Sequence, residues 1–333
     1  MKLMVTYFIS YLGLICGVCL FLPIGITLWF SFNLLPSSLI NVCAHCLGYA
    51  FFTLHHSRRK IALQHAHMVF THPEVIKVRG PTSSEEIKQI VYLSYFHLAL
   101  SLIELIRDPF ISPHITLPVE DSTLFHFPPL SSWKQKIPFF KKPLVHIHGI
   151  ESLRNALQNE HGLFLVSAHL GSWEILAKTS KWIKRPIWLI SKRMSVSWVQ
   201  SLWDFLRLKS PHRLDQGSRA RFIIHALRRG EIVADVLDQH DARPRSRQLS
   251  FFHQPAWTSL DIARFTRLTN ALILPIFTWR DGNQHHIEIG QAYSPIESDL
   301  LQTQKLLERI EEVILKHPEQ WLWIHRRWKD KKK

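Results

Sequence analysis

Residues 162–174 read Gly162-Leu-Phe-Leu-Val-Ser-Ala-His169-Leu-Gly-Ser-Trp-Glu174, and this stretch decides the fold. Its apolar run is typical of a buried strand, its central glycine of a turn, and the residues that follow have helical spacing. In an open α/β sheet, sites form at the carboxyl ends of the strands. We therefore expect His169 at the mouth of a cleft, with Glu174 in the first part of the next helix.

The same alternation of strand and helix continues toward the C-terminus. It predicts an α/β fold with a mostly parallel sheet flanked by helices. An amphipathic helix is predicted at 85–107, and the Pro-, Phe- and His-rich residues 108–145 predict a loop. The remaining strands are predicted at 163–168, 186–191, 232–237, 272–278 and 285–289, and the remaining helices at 196–208, 219–229, 261–269 and 300–316.

The N-terminal part of the chain is unusual because Leu3–Ser57 contains no Asp, Glu, Lys or Arg. Within it, Met4–Phe32 exceeds the roughly 20 apolar residues that cross a bilayer. No cleavage site follows it, so we predict a retained transmembrane or membrane-anchoring helix. Leu39–Leu54 predicts a second, interfacial or core helix. A buried hairpin of a soluble protein is the alternative for residues 4–54.

The first charges after this apolar head suggest its orientation. Arg58, Arg59 and Lys60 favour the cytoplasmic side of the membrane by the positive-inside tendency. We therefore predict two parts, a membrane anchor with its apolar head at 1–57 and a cytoplasmic domain at 58–333.

The charge balance and the cysteines limit the possible partners. The net charge of +15 suits an anionic partner, which leaves phospholipid headgroups, nucleic acid and an acidic carrier protein open. The four cysteines, at 16, 19, 43 and 46, form C-x2-C twice, as in some zinc sites. Because they lie in the apolar head, we interpret them as small apolar side chains and predict no metal site.

His169 and Glu174 are the residues most suited to chemistry. A carboxylate that holds the Nδ1–H of an imidazole leaves Nε2 free as a general base, which can activate a hydroxyl for attack on a thioester. Taken by themselves, the residues favour a structural role for this pair over a catalytic one, because a histidine at a strand end near a glutamate is more often structural.

Three further segments make a family resemblance. The H-x4-E spacing resembles the H-x4-D/E box of the glycerolipid and lysophospholipid acyltransferases. Val236-Leu-Asp238-Gln239, with Ser250–Thr258, resembles the second block of the bacterial lipid A late acyltransferases. Pro318-Glu-Gln-Trp-Leu-Trp-Ile-His325-Arg326-Arg327-Trp-Lys329 resembles their C-terminal block. Two positions depart from that pattern, with His253 and Leu260 where glycine is expected.

The resemblance implies a function. It implies that a fatty acyl chain is transferred from acyl carrier protein to a hydroxyl of a lipid A precursor, in the secondary acylation of lipopolysaccharide biosynthesis. It also implies that the reaction takes place at the cytoplasmic face of the inner membrane and without a cofactor. His169 is implied as the base and Glu174 as its orienting partner. The residues implied in substrate binding are Arg193, Arg207, Asp238, Gln239, His325, Arg326 and Arg327.

Two alternatives remain open. One is a related acyltransferase for another glycolipid or for phosphatidylinositol mannoside, and the other is a non-catalytic basic membrane adaptor. Arg243, Arg245 and Arg247 suit phosphates, a carrier protein or no ligand. We expect Arg326 and Arg327, with their tryptophan neighbours, to pack against lipid headgroups, and we expect no nucleic-acid partner.

Overall fold

The computed structural model describes residues 35–107, 114–116, 144–158, 160–179, 183–191, 200, 212–215 and 220–329. The predicted anchor at Met4–Phe32 and most of the predicted helix at 196–208 lie outside these residues. Four helices come first in the described part: α1 (Ser37–Leu54), α2 (His56–Phe70), α3 (Pro73–Arg79) and α4 (Ser84–Arg107).

Strands and helices then alternate, as the sequence predicts. The elements are β1 (His114–Thr116), β2 (Leu144–His148), α5 (Ile150–Leu157), β3 (Leu163–Ser167), α6 (Trp173–Thr179), β4 (Ile187–Ser191), β5 (His212–Asp215), α7 (Ala220–Arg228), β6 (Ile232–Val236), β7 (Ser246–Phe251), β8 (Gln254–Ser259), α8 (Asp261–Thr269), β9 (Leu272–Asp281), β10 (Gln284–Ile289) and α9 (Asp299–Lys316), followed by a 3-10 turn at Pro318–Gln320.

Eight strands form one sheet in the order β1-β2-β10-β9-β3-β6-β4-β5. Neighbouring strands are parallel except for β9 and β10, which form an antiparallel pair. The prediction of a mostly parallel α/β sheet is therefore confirmed. The predicted loop at 108–145 is wrong where β1 and the start of β2 lie, because histidines interrupt the apolar pattern of both strands.

Strand β3 is central because its alternate side chains enter two cores. Phe164 and Val166 face a core shared with α2, α3, α4, α7, α8 and α9. Leu163 and Leu165 face a second core that includes α5. A strand buried on both faces explains the uninterrupted apolar run that predicted it.

Helix α1 packs on one side and is exposed on the other. Ile40 and Ala44 are buried against Leu100 and Ile103 of α4. Leu39, Val42, Tyr49 and Leu54 are exposed. The predicted second apolar helix is confirmed, and in this fold it is partly a core helix. Cys43 and Cys46 lie on it as free thiols, while Cys16 and Cys19 are outside the described residues.

Among the residues that the structure describes, one helix is long and apolar enough to cross a bilayer. It is Ser84–Ile106, within α4, and half of its most apolar 18-residue stretch is buried inside the protein. Its charged residue Glu104 pairs with Arg280 of β9 at 2.6 Å. These contacts place α4 against the sheet as a helix of the folded domain.

Strands β7 and β8 form a separate antiparallel hairpin that the sequence patterns do not predict. Its turn residues, Phe252 and His253, have φ of 52° and 59°. Position 253 is one of the two where the family resemblance leads us to expect glycine. Glycine adopts this left-handed conformation readily, whereas histidine does so at a cost.

Candidate active site

The register of two parallel strands brings the central residues together. Ser167 of β3 is paired with Val236 of β6. His169 and Asp238 each lie two residues beyond that pair, at the carboxyl ends of adjacent strands. The expected position of His169 at this edge of the sheet is confirmed, and Asp238 becomes its neighbour.

Asp238 accepts three hydrogen bonds, two from His169 and one from Trp321. Its Oδ1 lies 2.9 Å from Nδ1 of the imidazole. Its Oδ2 accepts from the backbone N–H of His169 and from Nε1 of Trp321, both at 2.8 Å. A carboxylate held this way accepts the proton on Nδ1, which directs the lone pair of Nε2 away from Asp238.

The charges of this pair support each other. Burial lowers the pKa of His169, but the Asp238 carboxylate, with smaller contributions from Glu174 and Asp235, raises it above its ordinary value. Burial raises the pKa of Asp238, but the His169 charge and the hydrogen bonds to its oxygens hold that pKa below its usual range. Asp238 therefore remains an acceptor at neutral pH.

Glu174 differs from our expectation in one respect. We expected its carboxylate to hold the imidazole, but Asp238 occupies Nδ1. The reason is the β3–β6 register, which sets Asp238 directly beside His169. Glu174 is 3% exposed in the first turn of α6, and its negative charge contributes to the raised pKa of His169.

The Gln239 amide covers one face of the imidazole. Its nitrogen lies 3.0 Å from Nε2 and 3.3 Å from Nδ1 of His169. An atom almost equally distant from both ring nitrogens cannot lie along the in-plane lone pair of Nε2. Gln239 therefore does not occupy the direction from which a substrate hydroxyl would approach Nε2. Trp173 contacts the ring edge-on, with centroids 5.2 Å apart.

The C-terminal motif lies directly behind this site. Leu322 donates its N–H to the His169 carbonyl at 3.1 Å, and Gly171 donates its N–H to the Gln320 carbonyl at 3.1 Å. Trp321 and Trp323 are 1% and 0% exposed. The motif at 318–329 therefore supports the back of the site.

The structure corrects our expectation for Arg327. We expected its side chain to bind substrate and to pack against lipid headgroups, but the residue is 0% exposed. It donates to the carbonyls of Gln239 and Trp257 at 3.0 and 2.7 Å and to Oγ1 of Thr258 at 2.7 Å. Its guanidinium also stacks on Phe251, 4.9 Å from the ring centroid. A guanidinium enclosed by these acceptors is structural, whereas the neighbouring Arg326 is exposed.

The other predicted substrate-binding residues have different outcomes. Arg193 and Arg207 lie outside the described residues. His325 is near Asp238 and His169, and burial lowers its pKa to about 4, so its imidazole is neutral at neutral pH. Arg243 pairs with Asp241 at 2.6 Å and with Asp261 at 3.1 Å.

The sequence reasoning missed Asp235 in this region. It lies on β6, where burial raises its pKa to about 7, and its charge acts on His169. An acidic residue inside an otherwise apolar strand was the available signal. Within the described residues, no group of three or more His, Cys, Asp and Glu side chains is arranged to hold a metal.

Comparisons with known proteins place the chain in a family. The family described as "Bacterial lipid A biosynthesis acyltransferase" matches residues 14–330. The chain belongs to this family. It is 27% identical over 190 residues to the lipid A biosynthesis lauroyltransferase of Escherichia coli K12, covering 54% of this chain and 60% of that protein.

A second relative in this family has a similar degree of likeness. The lipid A biosynthesis palmitoleoyltransferase of Escherichia coli K12 is 27% identical over 193 residues, covering 55% of this chain and 61% of that protein. The chain thus spans about three fifths of the length of each relative. Among solved structures, the 1-acyl-sn-glycerophosphate acyltransferase of Thermotoga maritima matches with 10% identity and a TM-score of 0.34, covering 88% of this chain and 97% of that one.

Proposed function

We propose that this protein is an acyltransferase that moves a fatty acyl group from acyl carrier protein to a hydroxyl of a lipid A precursor. The observation that carries the proposal is the Asp238–His169 hydrogen bond of 2.9 Å at the carboxyl edge of the sheet. It leaves Nε2 available as a general base, and the family membership supplies the class of reaction.

In the proposed reaction, Nε2 of His169 takes the proton of the acceptor hydroxyl. The hydroxyl oxygen then attacks the carbonyl carbon of the acyl thioester and forms a tetrahedral intermediate. The intermediate collapses to the new ester, and the carbon–sulfur bond breaks. The departing thiolate takes the proton back from His169. The negative charge of Asp238 stabilises the imidazolium in between.

The proposed substrates fit the charge of the chain. Acyl carrier proteins are acidic, lipid A precursors carry phosphates, and this chain has a net charge of +15. We propose secondary acylation, in which the acceptor is the free hydroxyl of an acyl chain already on the glucosamine disaccharide. Arg193, Arg207, Gln239, His325 and the exposed Arg326 are the proposed substrate contacts.

The proposed location follows from the apolar head. Residues 1–57 would anchor the protein in the inner membrane, and residues 58–333 would form the catalytic domain on the cytoplasmic side. Acyl carrier protein and the membrane-bound acceptor would then both reach His169.

Mass spectrometry of lipid A tests this function directly. Cells that lack the gene should lose one acyl chain from lipid A, and the wild-type gene should restore it. A gene encoding His169→Ala should fail to restore it at equal protein level. Unchanged lipid A in the deletion strain, together with a change in another acylated glycolipid, would exclude the proposed acceptor.

A further inference from the structure

A buried polar cluster lies next to the catalytic turn and is not used by the proposed chemistry. The Glu104 carboxylate of α4 pairs with the Arg280 guanidinium of β9 at 2.6 and 3.1 Å. Nε2 of His285 lies 3.3 Å from the same carboxylate. The Arg280 and His285 side chains are each 1% exposed. Burying these groups is costly unless all of them are paired, so such a cluster calls for an explanation.

The cluster reaches the residues between His169 and Glu174. Ser172 donates its hydroxyl to Oε2 of Glu104 at 3.0 Å and is itself 2% exposed. Arg280 donates from Nη2 to the Ser101 hydroxyl at 2.7 Å, and that hydroxyl lies 3.3 Å from the Gly171 carbonyl. The ion pair therefore contacts Ser172 directly, and Gly171 through the Ser101 hydroxyl, in the turn that joins β3 to α6.

The same cluster also holds the opposite side of that turn. The backbone N–H and carbonyl of Arg280 both bond to the Gln320 side chain, at 2.8 and 2.9 Å. The Gln320 carbonyl accepts from the Gly171 N–H at 3.1 Å. Three elements that are distant in sequence, α4, β9 and the 3-10 turn, thus hold residues 171 and 172.

The ionised state of Glu104 suits this arrangement. Burial raises its pKa, but the Arg280 charge and the His285 contact hold the pKa well below the usual range. The carboxylate then accepts from Arg280, His285 and Ser172 together, and hydrogen bonds to a charged acceptor are stronger than neutral ones.

We propose that Glu104 and Arg280 are positioning residues for catalysis, which act through the Ser172 hydroxyl to set where Glu174 lies relative to His169. Neither residue touches the substrate. The proposal rests on the proposed function for its kinetic test. It has a second test, of the turn itself, that does not depend on any substrate.

The kinetic test compares two buried serines in the full-length protein. Ser172→Ala removes the hydroxyl that joins the turn to Glu104. Ser94→Ala is the matched control, since among the described residues its buried hydroxyl bonds within α4 alone, to the Val91 carbonyl at 2.7 Å. With acyl carrier protein as donor, we expect kcat to fall about tenfold for Ser172→Ala, with KM within about twofold, because small displacements of reacting groups are costly. The control should keep kcat within about twofold.

A double-mutant cycle connects the effect to the ion pair. Glu104→Gln should also lower kcat, because it removes the negative charge of the group that accepts from Ser172 and pairs with Arg280. Adding Ser172→Ala to it should cause a smaller loss than Ser172→Ala causes in the wild type, since both changes weaken the same hydrogen bond. The acid side of the kcat/KM profile should move to lower pH in Ser172→Ala, since Glu174 then supports the imidazolium less. Independent, multiplying losses in kcat would overturn the proposal.

Hydrogen exchange provides the test without substrate. The peptide covering residues 168–176 should exchange faster in Ser172→Ala and Glu104→Gln than in wild type or Ser94→Ala. If the wild-type protein has activity that depends on His169, then a normal kcat for Ser172→Ala, or unchanged exchange at this turn, would overturn the positioning role. If the two variants exchange faster but the wild-type protein has no acyltransferase activity, the proposed function is refuted. The contact between the ion pair and the turn would still be supported.

Discussion

Nε1 of Trp321 donates a hydrogen bond of 2.8 Å to Oδ2 of Asp238, the carboxylate that also holds His169. This contact joins the C-terminal motif to the proposed base through a single side chain. It accounts for two buried polar groups at once, since the indole N–H and the carboxylate oxygen satisfy each other. The tryptophans of this motif therefore serve the site from inside the protein.

The Asp238 carboxylate is predicted to be essential for turnover. In Asp238→Asn, an amide N–H facing Nδ1 would force the imidazole proton onto Nε2 and remove the base. We expect kcat to fall by about 10²–10⁴-fold, comparable to His169→Ala. Asp281→Asn, at an exposed position, is the control and should be normal. Steady-state kinetics on folded protein measures this, and near-normal turnover of either site variant would refute the mechanism.

The pH dependence should reflect the raised pKa of His169. The base works only when neutral, so activity present above this pKa is lost as the pH falls through it. We expect the acid side of the kcat/KM profile to have its midpoint above 6.5, the ordinary pKa of histidine. Glu174→Gln removes a negative charge that raises this pKa, so the midpoint should move to lower pH, and turnover should be impaired. Glu297→Gln, an exposed change, should leave the midpoint in place.

Gly171 is predicted to be intolerant of any side chain. Its φ is +57°, and an added Cβ would lie 2.5 Å from the Thr278 carbonyl oxygen. Gly282 is a matched control because its φ is +54° but its surroundings are open. We expect Gly282→Ala to lower the unfolding free energy by about 1 kcal/mol, because alanine disfavours the left-handed backbone conformation. Gly171→Ala should cost more in unfolding free energy and also lower activity. Equal costs in chemical denaturation would show that the close approach is unimportant.

The sequence predicted those parts of the fold whose signal is local. The apolar runs of β3, β6 and β9 and the helical spacing of α4 and α9 depend on neighbouring residues, and their positions are confirmed. The β7–β8 hairpin was missed because its turn has Phe252 and His253 where glycine or asparagine is the usual signal.

The site was predictable only in part, for the same physical reason. His169 follows a recognisable strand and turn. Its partner Asp238 is 69 residues away and is brought close by the register of two strands. The Glu104–Arg280 pair spans 176 residues. A single sequence does not indicate such pairings, because strand order and register are properties of the whole sheet.

Arg327 is predicted to be a determinant of stability. Arg327→Ala would remove the buried donor to the Gln239 carbonyl and to the Thr258 hydroxyl oxygen, while the Trp257 carbonyl would keep the N–H of Asp241 at 3.1 Å. We expect a loss of about 3 kcal/mol or more in unfolding free energy, since each buried polar group left unpaired costs about 1–3 kcal/mol. Arg326→Ala, at the exposed neighbouring position, should change stability by less than about 0.5 kcal/mol. Similar melting temperatures for the two variants would contradict the structural role of Arg327.

The basic charge of the chain is predicted to favour the acidic donor. If acyl carrier protein is attracted electrostatically, its KM should rise with ionic strength, because salt screens exposed charges over about 10 Å at 0.1 M. A neutral acyl thioester with the same chain should show a smaller rise, since the chemistry at His169 is the same but the long-range attraction is absent. Measuring both donors across a salt series separates the two effects. An identical response to salt would mean that the basic residues behind the net charge of +15 attract the membrane or the anionic acceptor, and not the donor.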